Sequence, residues 1–533
     1  MKYESNFNKK LQIASIFSKQ KWHRLKVHTL MQNTKQKQPS INAYLGARYS
    51  RSADSIVDIA AEIMNKKTDA SKKLETIFQG YGHKSVGDMA QLFVCIENAP
   101  MVQVQKLFYM NPVHAGQERS TRFQNFTEPN FVKMPKGTNA NLVKEYESII
   151  HLWMKNYREV LGPTKEALIK YFKPEPGNKM HEGALQARTF DTARGFLPIG
   201  LETSFALVMS ARSWAEVVGY LRASNQSIDR ELAELLFVLL TSDKKLQGKG
   251  YIPEADGLIR HTEANQTRNN STQAILALLK NDIKRMNNKR VKPNMGRNAK
   301  VTLTNDSIKA LLTHYALLEN PLADTSKFSL SSSKIEKIGK LLFEQHNQHN
   351  QIGSLGQTGA ILIEGFGDYG GVLKDINRHR SLERVFPLLM DHVNIKSELN
   401  RPEDQCYFLY DYLNIDKLAV LRSDYAKRFD EAYARVKGFL KLASNELPEE
   451  MVREYTRYLL PHGHAARYRL YGSVDDWQYL IHLRTRNGGH IAYRKLSYDW
   501  LKLLAEKSPL FSPIVKKLPE VDPESREQFF DRS

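Results

Sequence analysis

Two short patterns occur twice in this chain, in the same order, and this repetition is the strongest constraint on its fold. ARGFLP (193–198) returns as TRYLLP (456–461), and WAEVVGYLR (214–222) returns as WQYLIHLR (477–484). From the arginine of the first pattern to that of the second there are 28 positions in one copy and 27 in the other. Chance rarely produces an ordered pair at matched separation. The sequence therefore predicts an internal duplication.

A change in composition separates the two copies. Between residues 281 and 306, Lys, Arg, Asn and Gly replace the apolar periodicity, which is typical of a linker. We therefore divide the chain into a basic N-terminal tail (1–41), a first copy (42–280), a basic linker (281–306) and a second copy (307–533). Helical spacing and β-branched runs occur in both copies, which predicts an α+β protein of two tandem mixed α/β domains.

The overall composition is that of a globular protein with excess positive charge. The 533 residues are 41% hydrophobic and 26% charged, and the formal net charge is +20. Much of this charge lies in the tail and the linker, so a nucleic-acid ligand remains an alternative that is not favoured. A solvated tail is favoured over an organellar address at the N-terminus, which has no signal-peptide core.

Two absences narrow the class of protein. No apolar run reaches the roughly 18 residues that cross a bilayer, so we expect a cytoplasmic protein without membrane attachment. The chain has only two cysteines, Cys95 and Cys406, and both stand among apolar or aromatic residues. Two isolated thiols favour neither a zinc site nor a disulfide framework, and we expect no metal.

Local patterns predict the main elements around these motifs. The stretch 201–224 has apolar residues at three-to-four spacing, which indicates helix throughout. The stretch 91–108 indicates a strand that ends before a helix beginning near Pro100. Pro198 and Pro461 should each end the helical segment that precedes them, because proline lacks the backbone N–H and crowds the preceding turn.

The first copy concentrates polar chemistry in GQERSTRFQNF (116–126). Glu118, Ser120 and Arg122 are spaced two apart, so an extended chain would point all three side chains to one side. A hydroxyl beside a guanidinium suits a phosphate, while Glu118 would accept from a sugar hydroxyl or hold an arginine. The alternative is a solvated loop.

Four arginines interrupt apolar helical patterns, two in each copy: Arg194, Arg222, Arg457 and Arg484. An unpaired guanidinium is costly to bury. Each arginine therefore either meets a structural carboxylate or faces a cleft that receives an anion, and the sequence leaves both interpretations open.

The second copy contains the strongest cationic cluster, Arg378-His379-Arg380, in a segment with apolar flanks. A further polar group, RNGGH, ends in His490, and its glycines allow close backbone approach. GFGDYGG (365–371) lacks the lysine and hydroxyl of a P-loop and is interpreted as a turn.

Together these motifs resemble flavin-dependent thymidylate synthases, the ThyX family, present twice in tandem. That family's signature is Arg-His-Arg, a short spacer and Asn-Glu-x-Ser-x-Arg, followed by Ala-Arg-x-x-Leu-Pro and a helix ending in Leu-Arg. The first copy has QERSTR (117–122), ARGFLP and Leu221-Arg222, and its GYGHKSVGD (80–88) is similar to the family's His-Glu-Thr/Ser segment. The second copy has RHR (378–380), Arg457 before Leu460-Pro461, Leu483-Arg484 and His490.

Each copy departs from the family where the other agrees with it. The first has Tyr109-Met110-Asn111 in place of Arg-His-Arg, and the second continues from Arg380 into SLERVFP without Asn-Glu-x-Ser-x-Arg. In the family, active sites form between subunits, with Arg-His-Arg from one chain and Ser-x-Arg from a neighbour. The hypothesis is that a fused, diverged pair keeps one composite site between its copies.

The resemblance implies a methyltransferase that converts dUMP to dTMP, with methylenetetrahydrofolate as carbon donor and NADPH reducing a bound FAD. It also implies a homodimer that acts as a pseudo-tetramer. Arg222 would be catalytic, stabilising negative charge on the uracil. The implied substrate-binding residues are Glu118, Ser120, Arg122, Arg194, Arg457 and Arg484. The implied cofactor-binding residues are Ser85, Arg378, His379, Arg380 and His490. The alternative is a redirected or inactive relative that binds nucleotide or nucleic acid.

Overall fold

The computed structural model of the chain describes most of both copies. The described residues are 3–8, 13–19, 24–30, 38–49, 52–54, 56–65, 73–74, 84–111, 114–121, 126, 130–241, 253, 255–264, 266–278, 281, 293, 299–303, 307–309, 311–313, 329–344, 346, 357 and 359–531.

Two antiparallel sheets with helices packed on them make up the described structure, which confirms a mixed α+β protein. The first sheet has the order β1-β2-β3-β4-β6-β5 and the second has the order β7-β8-β10-β9. Their strands are β1 Tyr3–Asn8, β2 Ile13–Ser18, β3 Lys26–Leu30, β4 Gln91–Pro100, β5 Ala115–Glu118, β6 Glu202–Ser210, β7 Lys300–Thr302, β8 Ile361–Asp368, β9 Glu383–Val385 and β10 Ala465–Gly472.

The helices follow the strands in a similar order around each sheet. Those of the first part are α1 Gln38–Tyr49, α2 Ile56–Asn65, α3 Met101–Met110, α4 Ala140–Phe172, α5 Lys179–Ala193, α6 Ala211–Arg222, α7 Ser227–Thr241 and α8 Thr267–Leu278. Those of the second part are α9 Ser332–Glu344, α10 Lys374–Ile376, α11 Ile395–Leu399, α12 Ala419–Glu446, α13 Glu449–Tyr458, α14 Val474–Arg484, α15 Ile491–Lys507, α16 Ser512–Lys517 and α17 Arg526–Phe530. We call β1 to α8 the first half and β7 to α17 the second half. None of the described helices combines the length and apolar composition that crossing a bilayer requires.

The repeated tryptophans explain why the two sheets look alike. In each half a serine at the end of a long strand, or directly after it, caps the following helix: Ser210 accepts from Ser213 N, and Ser473 accepts from Asp476 N. Trp214 on α6 donates its indole N–H to a carbonyl of β4 at 3.2 Å. Trp477 on α14 donates to a carbonyl of β8 at 3.3 Å. The same strand, cap and aromatic anchor thus recur in both halves, which supports duplication as our interpretation.

The halves join along the repeated proline segments. Ile199 N donates to Leu460 O and His462 N donates to Leu197 O, both at 2.8 Å, so each segment bonds to the other in nearly reciprocal fashion. Gly200 has to be glycine here, because a Cβ would lie 2.5 Å from the Tyr458 side chain of the other half. This backbone pairing fixes the position of one half against the other.

The long helices α4 and α12 pack against each other beside that seam. Trp153 donates its indole N–H to Leu459 O at 2.9 Å and packs its ring against Phe429 and Tyr433. At the edge, Arg435 pairs with Glu145 at 2.8 Å. The halves therefore share one buried aromatic core.

Two sequence predictions of local structure are confirmed. The 91–108 stretch is β4 followed by α3, which begins at Met101 directly after Pro100. α5 ends at Ala193 and α13 ends at Tyr458, so the helices do stop before the two prolines.

The prediction of a solvated N-terminal tail is wrong. β1, β2 and β3 extend the first sheet outward from β4, with Val27 paired to Ile96. Ala14, Ile16 and Val27 are completely buried. Apolar side chains at alternate positions of a short strand suffice for this burial, and the intervening basic residues conceal the period of two.

The helix predicted for all of 201–224 is also wrong in its first part, which is β6. Phe205, Leu207 and Met209 are buried and alternate with partly exposed Ala206 and Val208. Because the intervening residues are also apolar, the strand's period of two resembles helical spacing.

Two boundary predictions need correction. The interpretation of GFGDYGG (365–371) as a turn is wrong. The segment forms the end of β8 and the start of a single turn of π-helix, Tyr369–Leu373, which we call the π-turn. The predicted linker ends too late, since β7 at Lys300–Thr302 already pairs with β8.

Candidate active site between the two halves

A buried carboxylate of the first half meets two cations of the second half. Glu118 ends β5, and its side chain is fully buried. Its Oε1 lies 2.8 Å from Lys374 Nζ and its Oε2 lies 3.4 Å from Arg378 Nη2. Gln105 on α3 donates to the same carboxylate at 2.9 Å. Glu118 therefore ties the halves together at one charged centre.

The segment that carries Arg378 is held against α3 of the other half. Asn377 donates its amide to the Gln105 carbonyl at 2.7 Å, and Tyr369 donates its hydroxyl to the Met101 carbonyl at 3.3 Å. Arg380 donates to the His114 carbonyl. These bonds place the cationic cluster of the second half directly beside β5.

The π-turn, Tyr369–Leu373, precedes this segment and explains the glycines there. Asp368 Oδ2 accepts from Gly371 N and caps the turn. A Cβ at position 371 would lie 2.6 Å from that oxygen, so only glycine fits. Single π-turns are frequent at functional sites, where the extra residue redirects the helix that follows. Here it directs Lys374 and Arg378 towards Glu118.

Arg194 is the first-half arginine that faces this centre. It is 3% exposed and donates to Thr121 Oγ1 at 3.0 Å. Asp191 lies 3.8 Å from the same guanidinium. Its Nε and Nη2 have no hydrogen-bond partner within the part of the chain that the structure describes. A buried guanidinium with two unused donor nitrogens is suited to receive an anion.

Burial perturbs the titratable groups of this centre. Burial raises the pKa of the Asp368 carboxyl to about 7, against the opposing effect of the Gly371 N–H and of Arg194. Burial also lowers the pKa of the Lys374 ammonium, and Glu118 limits that decrease. Perturbed groups of this kind cluster at functional sites more often than elsewhere.

We call these residues the composite cluster: Glu118, Arg194, Lys374, Arg378 and Arg380. Four of the five side chains are cationic and one is a carboxylate, and the buried carboxyl groups of Asp191, Asp368 and Asp375 beside them offset part of the positive charge. It joins three sites that the sequence predicted separately, and it adds Lys374, which the sequence interpretation missed. Lys374 is four residues before Arg378, the spacing of neighbours on a helix face, and that spacing was the available signal.

Other predicted residues are only partly described. Ser120 is the second residue after β5, beyond the extended strand that was expected to include it. Arg122 lies outside the described residues, as does the side chain of Ser85. Their roles therefore stay predictions.

His379 and Arg484 contact each other away from the cluster. Arg484 Nε donates to His379 Nε2 at 2.7 Å, and Arg484 Nη2 donates to the Asp375 carbonyl at 2.9 Å. Burial, followed by the charge of Arg484, lowers the pKa of the His379 imidazole well below its ordinary value. The ring is therefore a neutral acceptor that holds Arg484.

His490 and Arg457 also have contacts within the protein. His490 begins α15, where its Nδ1 accepts from Ala492 N at 3.2 Å and its Nε2 faces the Asp191 carbonyl at 3.2 Å. Arg457 donates to the Met390 carbonyl at 3.0 Å. The structure thus gives these two predicted binding residues protein partners outside the composite cluster.

Arg222, the predicted catalytic residue, is engaged at all three guanidinium nitrogens. Its Nε and Nη2 donate to the two carboxylate oxygens of Glu234 at 2.6 and 2.9 Å. Its Nη1 donates to the Thr262 carbonyl at 2.8 Å, and the guanidinium lies over the Phe237 ring at 4.4 Å. This geometry matches the structural ion pair that the sequence left open as the alternative.

The first half matches a known family by sequence. Residues 29–242 match the family model described as thymidylate synthase complementing protein, Thy1. This match, which covers less than half of the chain, supports membership in that family. The match extends from β3 to just past α7 and contains Glu118, Arg194 and Arg222. None of the curated proteins matches the chain significantly. The similarity to Thy1, the ThyX family, supports a thymidylate synthase type of enzyme.

Proposed function

We propose that the protein is a flavin-dependent thymidylate synthase with its active site at the composite cluster. It would methylate dUMP to dTMP, with methylenetetrahydrofolate as carbon donor and NADPH as reductant of FAD. The tandem halves would act as two fused subunits, and a homodimer of the chain would correspond to a tetramer of single copies.

One observation carries this proposal. Glu118, from the half that matches the family, contacts Lys374 and Arg378 from the half that contains Arg-His-Arg. The family's active sites form between subunits, and the two retained motif fragments come from different halves of this chain. Direct contact between those fragments is what a composite site requires.

The nucleotide would bind on the first-half side of the cluster. The unused N–H groups of Arg194 offer a buried partner for a phosphate, and Ser120 and Arg122 follow Glu118 closely in the sequence. A guanidinium and a hydroxyl together recognise phosphate through charge-assisted hydrogen bonds. Lys374, held by Glu118, would orient a carbonyl oxygen of the pyrimidine by donating a hydrogen bond.

The flavin would bind on the second-half side, where the fit is partial. Arg378, whose side chain is 35% exposed, and Arg380 are placed to contact an anionic cofactor. His379 and His490 are buried and bonded to protein groups, so we propose that they support the site without touching the flavin. When bound, the flavin supplies the electrons of the reaction, and the protein provides position and charge.

A second candidate is a relative that binds nucleotide without synthase activity. Arg222 donates to protein partners through all three guanidinium nitrogens, and Arg484 does so through Nε and Nη2. If the reaction needs a guanidinium without protein partners opposite the uracil, Arg222 does not meet that need in this conformation, and Arg484 would offer only Nη1. The two candidates share the nucleotide site and differ only in the chemical step.

The test is rescue of a thymidine-requiring bacterial strain by the full chain. Wild type should restore growth without thymidine, whereas Arg122→Ala and Arg380→Ala should each abolish it. Arg469→Ala is the matched control, because Arg469 lies on β10 with its side chain 51% exposed and pairs only with Glu364 among the residues described. It should rescue as wild type does.

Purified protein separates the two candidates. A synthase should be yellow, with flavin bound near one equivalent per composite cluster, and should release dTMP from dUMP. Binding of dUMP without rescue and without dTMP formation would support the inactive relative. Loss of both flavin and dUMP binding would refute the composite site itself.

A further inference from the structure

A second meeting place of the two halves contains a cavity. It lies where α3 and α6 of the first half face the 387–398 segment of the second half, and its volume is about 640 Å³. We call it the α3–α11 cavity. It is in the range of about 300–1,000 Å³ that small-molecule sites occupy. The composite cluster, by comparison, lies where the 369–380 segment of the second half meets β5 of the first.

The walls of the α3–α11 cavity are mainly apolar and aromatic. They include Tyr109, Met110, Tyr220, Leu389, Met390 and Val393. Two of these, Tyr109 and Met110, stand at the first-half positions that correspond to the Arg-His-Arg of the second half. The wall thus offers flat aromatic surface where the composite cluster offers cations.

The charged groups at this cavity neutralise one another. Lys106 pairs with both Asp229 and Asp391. Burial opposes the charge of Lys106, but the two carboxylates raise the pKa of its ammonium above the ordinary value. Lys106 also lowers the pKa of the Asp391 carboxyl against the effect of burial, so both partners stay ionised. Arg457, which is buried and donates to the Met390 carbonyl of the wall, is the second cation beside the two carboxylates. These two positive and two negative charges sum to zero, so no unbalanced cation remains among them to attract a phosphate.

The polar part of the wall includes two carboxylates. Asp391 and Glu398 line the cavity with side chains 13% and 21% exposed. Glu398 is balanced by Arg401 at 3.0 Å. Asp391 also accepts from Gln226 at 3.2 Å, and Glu398 Oε1 lies 3.1 Å from His464 Nε2. A carboxylate has about four lone-pair directions, so each can still accept from a ligand.

We propose that the α3–α11 cavity is a second ligand site, for an uncharged, flat heteroaromatic molecule that carries N–H donors and no phosphate. The aromatic and methionine walls pack on the ring faces, and the two carboxylates accept from the ring edge. Because the surrounding charges are balanced, a phosphorylated analogue loses the solvation of its phosphate without gaining a partner.

The test uses lumichrome, an uncharged three-ring heterocycle with N–H donors, titrated into the full chain at pH 7 and followed by its fluorescence. Saturable binding at one molecule per chain is expected. Ser397→Trp places a large ring at the mouth of the cavity and should weaken binding by about tenfold or more. Ser397 is exposed, so the change should not disturb folding.

The matched control is Lys396→Trp, which adds the same ring at the neighbouring exposed position of α11 without lining the cavity. It should bind lumichrome as wild type does. Equal affinities of the two tryptophan variants, or no saturable binding to wild type, would overturn the proposal.

Two further measurements separate this site from the composite cluster. Arg378→Ala should leave lumichrome binding unchanged, and a loss of affinity there would place the ligand at the composite cluster instead. Flavin mononucleotide, which adds a phosphate, should not displace lumichrome. If it displaces lumichrome with equal affinity, the charge argument is wrong. Rescue of thymidine growth does not enter these readouts, so the two proposals fail separately.

Discussion

Replacing Glu118 with alanine should destabilise the protein more than the loss of an ordinary ion pair. Glu118 is fully buried and Lys374 is 6% exposed, so truncation leaves an ammonium without its counter-charge in a dry interior. Removing one partner of such a buried pair costs about 3–5 kcal/mol. Because burial already lowers the pKa of Lys374, part of this cost is relieved by loss of its proton. We expect a net loss near about 3 kcal/mol.

The assay is urea denaturation at pH 7, because urea leaves charge pairs unscreened. Glu118→Gln keeps the shape and one acceptor for Gln105, and should cost about 1–3 kcal/mol. The control is Glu344→Ala, which breaks an exposed pair with Lys340 whose side chains are 48% and 70% exposed. That pair should contribute at most about 0.5 kcal/mol.

A double-mutant cycle decides whether the lost energy belongs to the pair. Lys374→Met removes the stranded ammonium, so the combination with Glu118→Ala should recover about 2–3 kcal/mol relative to the sum of the single changes. Additive effects, or Glu118→Ala with a stability within about 1 kcal/mol of wild type, would refute the reasoning that this contact ties the halves together.

Three further outcomes are expected. Burial raises the pKa of the Asp368 carboxyl to about 7, so the wild-type protein loses stability as pH rises through that value. Asp368→Asn should therefore stabilise the protein by about 2–3 kcal/mol more at pH 8 than at pH 5, measured by urea denaturation. Gly438→Ala should stabilise the fold by about 0.5–1 kcal/mol and so raise the thermal midpoint, because the added Cβ meets nothing within 4 Å. Gly200→Ala should lower the thermal midpoint, because its Cβ has no room. Arg222→Ala and Glu234→Ala should each lose about 1–3 kcal/mol of stability, because both break the same ion pair. The affinity for dUMP should stay unchanged in isothermal titration. A loss of affinity in the Arg222 variant alone would favour the catalytic role.

The sequence predicted those parts of the fold that depend on local chemistry. Pro198 and Pro461 each follow an apolar helical segment, so the ends of α5 and α13 could be predicted. The repeated tryptophan could be recognised in the sequence, but its structural role could not. Only the packed structure shows that each indole bonds to the neighbouring strand.

Elements that depend on distant partners were not predictable in the same way. β6 has apolar residues on both faces because it lies between β4 and β5 and is covered by helices, and this hides its period of two. β1 to β3 are short and surrounded by basic residues. Their burial depends on β4, which follows more than sixty positions after β3, and no local pattern reports that pairing.

The sequence predicted which types of residue belong to the site, but not which of them contact each other. Glu118 and Arg378 were expected together because the motifs of the two copies were complementary. Lys374 was not expected, because a lysine close to other cations in the sequence is usually interpreted as a solvated surface residue. Its role depends on the π-turn before it, and such a one-residue register shift has no distinct sequence pattern.

We propose that the different charges of the two meeting places follow from the fusion of two copies in one chain, which is our interpretation of the repeated patterns. In a homo-oligomer every substitution appears in all symmetric sites, so a lost arginine disables each of them. Once fused, each half can lose a different fragment, provided that one site keeps both retained fragments. The composite cluster keeps four cations around Glu118, whereas at the α3–α11 cavity Lys106 is neutralised by two carboxylates. Random decay would remove fragments without regard to which site they share. Complementary loss therefore argues for selection on a single anionic-ligand site per chain, and a dUMP stoichiometry of two per chain would contradict it.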